Sequence, residues 1–177
     1  MVSNKRSTID LGPYSQLLST LPHIEVHPFP KQIAMTDTPK PSIGFIGLGL
    51  MGSAMVQRLQ SLGYPMTVIA HKKREAVDAA VARGASEAKT PGALAQASDI
   101  VMLCVDTSAS VEANMNGPDG IIENIRSGSL VIDFGTSIPS STLQLEASLK
   151  EKGAAMMDAP LGRTPAHAID GLLNIMS

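Results

Sequence analysis

The chain has 177 residues, a formal net charge of −2, four histidines and one cysteine. That length suits one domain of ordinary size. The balanced charge offers no basic stripe for nucleic acid, no apolar run reaches the ~18 residues that span a bilayer, and a lone cysteine excludes an internal disulfide and fits a reducing, cytoplasmic setting. No metal site is read from the histidines. His23, His27, His71 and His167 are scattered, and Pro22 and Pro28 flank the one pair four residues apart, which argues against a helical face there.

Residues 1–41 carry Pro13, Pro22, Pro28, Pro30, Pro39 and Pro41 and show no sustained period. They read as a disordered or loosely attached extension. Lys5 and Arg6 precede any acid, but there is no apolar core of a secretory signal and no arginine-rich amphipathic pattern.

Ser42 to Met55 reads as a short buried strand, a glycine turn and the start of a helix near Met51. Gly47, Gly49 and Gly52 have the G-x-G-x-x-G spacing. In a dinucleotide-binding unit the first glycine makes the tight turn, the second admits a pyrophosphate to the backbone, and the third lets helix and strand approach. Gly47, Leu48, Gly49, Leu50, Met51 and Gly52 are therefore the candidate pyrophosphate cradle, resting on the positive end of the helix dipole. Met51, Met55, Leu59 and Leu62 recur at helical spacing, and Gly63 stops the helix.

Further along, Pro65–Ala70 reads as strand, Glu75–Arg83 as helix ended by Gly84, and Ala85–Ala88 as a short strand. Thr90-Pro91 looks like an N-cap with proline at the first helical position. Asp99–Val105 is an unbroken apolar run of the kind buried on both faces, with Cys104 as a core residue. A helix over Thr107–Met115 follows, then turn residues Gly117–Gly120, a strand Leu130–Asp133, a helix Ser140–Lys152 closed by Gly153, and a strand Ala154–Asp158 in which Met156 and Met157 fill core. Ala159–Gly171 reads as a loop and Leu172–Met176 as a last short strand. Strands alternating with helices imply an α/β fold, a Rossmann-type doubly wound parallel sheet with ligand at the carboxyl ends of the strands.

The second strand commonly delivers an acid to the ribose 2′-hydroxyl of NAD. Here no Asp or Glu occurs between Ser53 and Arg74, and His71, Lys72, Lys73 and Arg74 stand at that place. Cations suit a 2′-phosphate, so the expected cofactor is NADP rather than NAD, with His71 and Lys72 at the 2′-phosphate.

The run Phe45–Met55 resembles the signature of the β-hydroxyacid dehydrogenase family, which includes 3-hydroxyisobutyrate dehydrogenase, tartronate semialdehyde reductase and the cofactor domain of 6-phosphogluconate dehydrogenase. Asp99–Asp106 resembles that family's fourth strand, Val131–Pro139 its V-I-D-x-S-T-x-x-P segment, and Gly153–Gly171 its substrate segment. The resemblance covers about residues 42–177 and implies cofactor contacts at Val105 and Thr136. It departs at Arg58, where Asn is common, at Gly135, where Ser is usual, and in the substrate loop, where Gly162, Arg163 and Thr164 replace Ser-Gly-Gly. That loop is similar to the one in 3-sulfolactaldehyde reductases, which implies that Gly162, Arg163 and Thr164 hold a small anionic hydroxy acid or aldehyde. A guanidinium fork suits a sulfonate, phosphate or carboxylate.

The resemblance also implies a following all-helical domain that carries the catalytic Lys in a G-x-x-x-x-x-K-x-x-x-N motif and builds the homo-oligomer. That motif is not found before Ser177, and Lys150 and Lys152 do not match it. The expectation is an NADP-binding domain with little turnover of its own. The alternatives are a non-catalytic dinucleotide-binding module and an inactive gene fragment.

Overall fold

A computed structural model describes residues 39–71 and 74–176. Most of the segment read as an extension, together with Lys72, Lys73 and Ser177, lies outside the described residues. At its near end, Lys40 donates to the Leu62 carbonyl and lies over the Tyr64 ring, 5.2 Å from its centroid. Contact with the folded unit thus begins before Ser42.

Strand β1 (Ile43–Ile46) leads into helix α1 (Leu50–Ser61), then β2 (Met66–Ile69), α2 (Glu75–Ala82), β3 (Ser86–Ala88), α3 (Pro91–Gln96) and β4 (Ile100–Leu103). The second half runs α4 (Ser108–Asn116), α5 (Ile121–Asn124), β5 (Leu130–Asp133), α6 (Pro139–Glu151) and β6 (Ala155–Asp158). These six strands form one sheet in the order β3-β2-β1-β4-β5-β6, and every pair is parallel. The order reverses between β1 and β4, where a doubly wound sheet opens a crevice at its carboxyl edge.

Alternation along the strands builds two cores. Ile43, Phe45, Val68 and Ile132 point to one face, where Ala54, Met55 and Val56 of α1 and Val77 and Ala80 of α2 cover them. Ile46, Val101, Leu103 and Val131 point to the other, against Leu94 of α3, Val111 and Met115 of α4, Ile121 of α5 and Leu145 and Leu149 of α6. Local chemistry sets the helix starts. Thr90 Oγ1 accepts from the Ala93 N–H at 3.1 Å ahead of Pro91, and Thr107 Oγ1 accepts from the Ser110 N–H at 3.1 Å.

Four expectations need correction. The segment Ala159–Gly171 is not all loop. It contains β7 (Leu161–Gly162) and helix α7 (Pro165–Asp170), which packs on α1 and buries Ala168. Pro165 at the start and Gly171 in the left-handed region (φ 74°) are ordinary helix punctuation, but six residues with one buried side chain show no period to detect. The last strand, β8 (Asn174–Ile175), pairs antiparallel with β7 outside the main sheet. Along β4 only Val101 and Leu103 are buried, while Ile100 and Met102 are half-buried. Met157 is 37% exposed because β6 is an edge strand; Met156 does pack against the core.

Candidate functional site

A cleft of about 1050 Å³ opens at the carboxyl ends of β1, β2 and β4. One wall is residues 46–50 with Ser53. Residues 69–71 and 75–77 form a second, and residues 104–106 with Ser110, Ala113 and Asn114 a third. A smaller hollow of about 250 Å³ lies between α4 and α6, where both serine hydroxyls are already engaged: Ser141 Oγ donates to Glu112 at 2.5 Å and Ser148 Oγ to the Gln144 main-chain carbonyl at 3.1 Å.

The glycine turn shapes the first wall. Gly47 has φ 101°, and a Cβ there would stand 2.2 Å from the Cys104 carbonyl oxygen. A Cβ on Gly52 would stand 1.9 Å from the Gly47 carbonyl oxygen, so α1 sits directly on the turn. Gly49 differs: its Cβ would meet nothing within 4 Å, and it faces the open cleft. The first main-chain bond of α1 runs from the Ser53 N–H to the Gly49 carbonyl at 2.9 Å, which leaves the N–H groups just before it without a partner in the helix. Ser53 Oγ braces the turn by donating to the Leu48 carbonyl at 3.1 Å. Bare backbone, unpaired N–H groups and a helix N-terminus together fit a pyrophosphate.

His71 lines the cleft at the end of β2, and Glu75 and Ala76 at the start of α2 line it beside His71. Arg74 does not line it. Its guanidinium makes a two-pronged pair with Glu87 of β3, both contacts at 3.0 Å, and a third contact with Asp78 at 3.0 Å. Hydrogen bonds to Glu87 and then Asp78 raise its pKa still further, and the Glu87 carboxyl falls below its ordinary value in return. Of the cationic run read from the sequence, Arg74 is thus engaged by carboxylates, and Lys72 lies outside the described residues.

Leu48, Leu50 and Val105 line the cleft with Gly47 and Gly49; Met51 and Gly52 lie behind them in the first turn of α1. Cys104 is half-buried, packing against the core on one side and lining the cleft wall, and burial, with the nearby Asp133 charge, pushes its thiol pKa up. Thr136 is exposed on the β5–α6 loop and does not line the cleft. Its loop is nonetheless held close: a Cβ on Gly135 would lie 3.4 Å from the Val105 carbonyl oxygen. Buried Asp133 shapes this loop, accepting from the Gly135 N–H at 2.9 Å and from Ser137 Oγ at 2.5 Å.

Gly162, Arg163 and Thr164 also stand apart from the cleft lining. Arg163 takes φ 81°, a conformation that favours glycine, and its Nη1 donates to the Leu172 carbonyl at 3.0 Å. Thr164 Oγ1 lies 2.7 Å from His167 Nδ1. Sequence reasoning did not single out Ser53, Glu75, Asp106, Ser110 or Asn114. Asp106 lies three residues past the end of β4 and could have been found by the rule that strand ends carry ligands. Among the described residues no group of three His, Cys, Asp or Glu could hold a metal ion.

Residues 42–177 match the family described as the NAD binding domain of 6-phosphogluconate dehydrogenase. The chain belongs to this family. Among its relatives, NAD-dependent L-serine dehydrogenase of Pseudomonas aeruginosa is 37% identical over 134 residues, 76% of this chain and 45% of that protein. The 3-sulfolactaldehyde reductase of Escherichia coli K12 is 36% identical over 136 residues, 77% of this chain and 45% of that protein. The solved structure of Psf3 in complex with NADP+ and 2-OPP superposes with a TM-score of 0.70 at 30% identity, over 75% of this chain and 47% of that one. The chain spans about half the length of these relatives. It carries the dinucleotide-binding domain of a β-hydroxyacid dehydrogenase family whose members are oxidoreductases acting on hydroxyl groups. Among the described residues no helix is long and apolar enough to cross a membrane.

Proposed function

We propose that residues 42–177 form the NADP-binding domain of a β-hydroxyacid dehydrogenase-like oxidoreductase. It would serve hydride transfer between NADP(H) and a small hydroxy acid or semialdehyde, with 1–41 as an extension. The observation that carries this reading is the glycine turn: Gly47 at φ 101° under the Cys104 carbonyl, and open backbone at Gly49 before the first turn of α1. When bound, the nicotinamide supplies the hydride donor or acceptor. The chain's own part is to hold and orient. The N–H groups around Leu50 and Met51 would take the pyrophosphate, His71 and Lys72 the 2′-phosphate, and Val105 with the Thr136 loop the nicotinamide side. NADP is favoured because β2 delivers His71, not a carboxylate, to the cleft, although Glu75 stands close by. In the resemblance, Gly162, Arg163 and Thr164 hold the substrate anion, and the likeness to 3-sulfolactaldehyde reductase supports a sulfonate or carboxylate there.

A second reading is a binding module without turnover. The described lining of the cleft contains no lysine that could move a proton at the substrate oxygen. On either reading the 177-residue chain alone turns over little or nothing.

Fluorescence titration with NADPH, and separately with NADH, tests the proposal. Tighter NADPH binding is expected. Preference for NADH overturns the His71–Lys72 assignment, and binding of neither by a sample with a cooperative melt makes the glycine turn structural only. Oxidation of a hydroxy acid by the purified chain would overturn the statement on turnover.

A further inference from the structure

Arg74 stands between cofactor-site residues in sequence yet is withheld from the site in space. Glu75, its neighbour, lines the cleft, and so does His71 three residues before it. Its own side chain turns toward β3, where Glu87 takes both prongs of the guanidinium and Asp78 a third contact. Glu87 is in register with Val68 of β2, so the sheet itself holds this acid beside the strand that ends at the cleft. Asp78 lies four residues on in α2, on the same helical face as Arg74. Two carboxylates thus hold one cation beside β2, the strand whose end lines the cleft with His71.

We propose that the Arg74–Glu87–Asp78 cluster sets cofactor selectivity by keeping the Arg74 guanidinium off the cleft. This rests on the reading of the cleft as an NADP site. Solvent reaches both pairs, with side-chain exposures of 59% for Arg74, 61% for Asp78 and 33% for Glu87, and ion pairs open to water are weak enough to be exchanged. A 2′-phosphate carries more charge than one carboxylate and also accepts a two-pronged guanidinium contact. It therefore competes with Glu87 for Arg74, and the acids limit how far the chain prefers NADP over NAD. NADH carries only an uncharged 2′-hydroxyl at that position, which does not compete with a carboxylate for the guanidinium, so its binding is indifferent to the cluster.

The test is titration of the full 177-residue chain and its Glu87→Gln variant with NADPH and NADH. Removing the charge of Glu87 is expected to tighten NADPH binding by roughly threefold to tenfold and to leave NADH binding unchanged. The double variant Glu87→Gln with Arg74→Gln should lose that gain. Equal changes for both nucleotides, or no change for NADPH, would overturn the cluster's role while leaving the cofactor site standing. A gain that persists in the double variant would also overturn it, since the charge change alone would then be responsible. If the unaltered chain binds neither nucleotide, the cofactor reading and this inference fall together.

Discussion

The Cβ that Gly52 lacks would stand 1.9 Å from the Gly47 carbonyl oxygen, far inside the 3.0 Å that a Cβ keeps from other heavy atoms. The contact is to backbone, so no side-chain rotation relieves it. Gly52→Ala should push α1 off the turn and cost about 3 kcal/mol or more. Gly49→Ala is the contrasting variant, because its Cβ meets nothing and its φ of −71° suits alanine. Its melting temperature should hardly move, while dinucleotide affinity falls at least tenfold if the open backbone is the pyrophosphate seat. Thermal melts with NADPH titrations separate the two; parallel loss of stability in both would show that neither glycine is reserved for ligand.

Asp133 binds the loop that carries Thr136. Replacing it by Ala orphans the Gly135 N–H and the Ser137 hydroxyl and should destabilise the domain by about 1–3 kcal/mol. Asp133→Asn keeps one acceptor and should fall between. Urea unfolding of the three proteins gives the ranking, and an unshifted midpoint in Asp133→Ala would remove the loop-shaping role.

Arg163 holds a strained φ of 81° and spends its side chain on the Leu172 carbonyl. Arg163→Gly relieves the strain and loses the bond, so its stability should stay within about 1 kcal/mol of the parent. Arg163→Val keeps the strain, adds branching and loses the bond, and should be clearly less stable. If the two variants melt alike, the backbone there carries no strain worth the name.

Acid should weaken the domain through Asp99 and Glu87. The Ser42 hydroxyl and amide, and secondarily Arg126, hold the Asp99 carboxyl below its ordinary range, and Arg74 does the same for Glu87. A lowered folded pKa means that the unfolded chain binds the proton more tightly. The stability is present above the ordinary carboxylate value and is lost as pH falls through the lower folded one. Asp158 runs the other way, since burial and then Asp133 raise its pKa, and it favours the fold when protonated. Melting temperature should therefore drop below about pH 4, and the Asp99→Asn variant should show a shallower drop. An identical acid limb in that variant would count against Asp99.

Much of this domain is written locally. Apolar strands of four residues, glycine stops after helices and the Thr90-Pro91 start are short-range signals, and they suffice for the parallel sheet and its glycine turn. The two-residue alternation of a strand is enough to assign Phe45 and Ile46 of β1 to opposite faces. The pairing of Arg74 with Glu87 was not legible, because it joins residues thirteen apart through a strand register that the sheet sets. Nor was α7, whose six residues become a helix by packing on α1 rather than by any period of their own. Residue chemistry and spacing thus decided that a dinucleotide turn is present and where it lies in the chain. Which charges face the cleft, and which are spent on one another, depended on β2 and β3 lying side by side, since charges distant in sequence meet only once the sheet is formed.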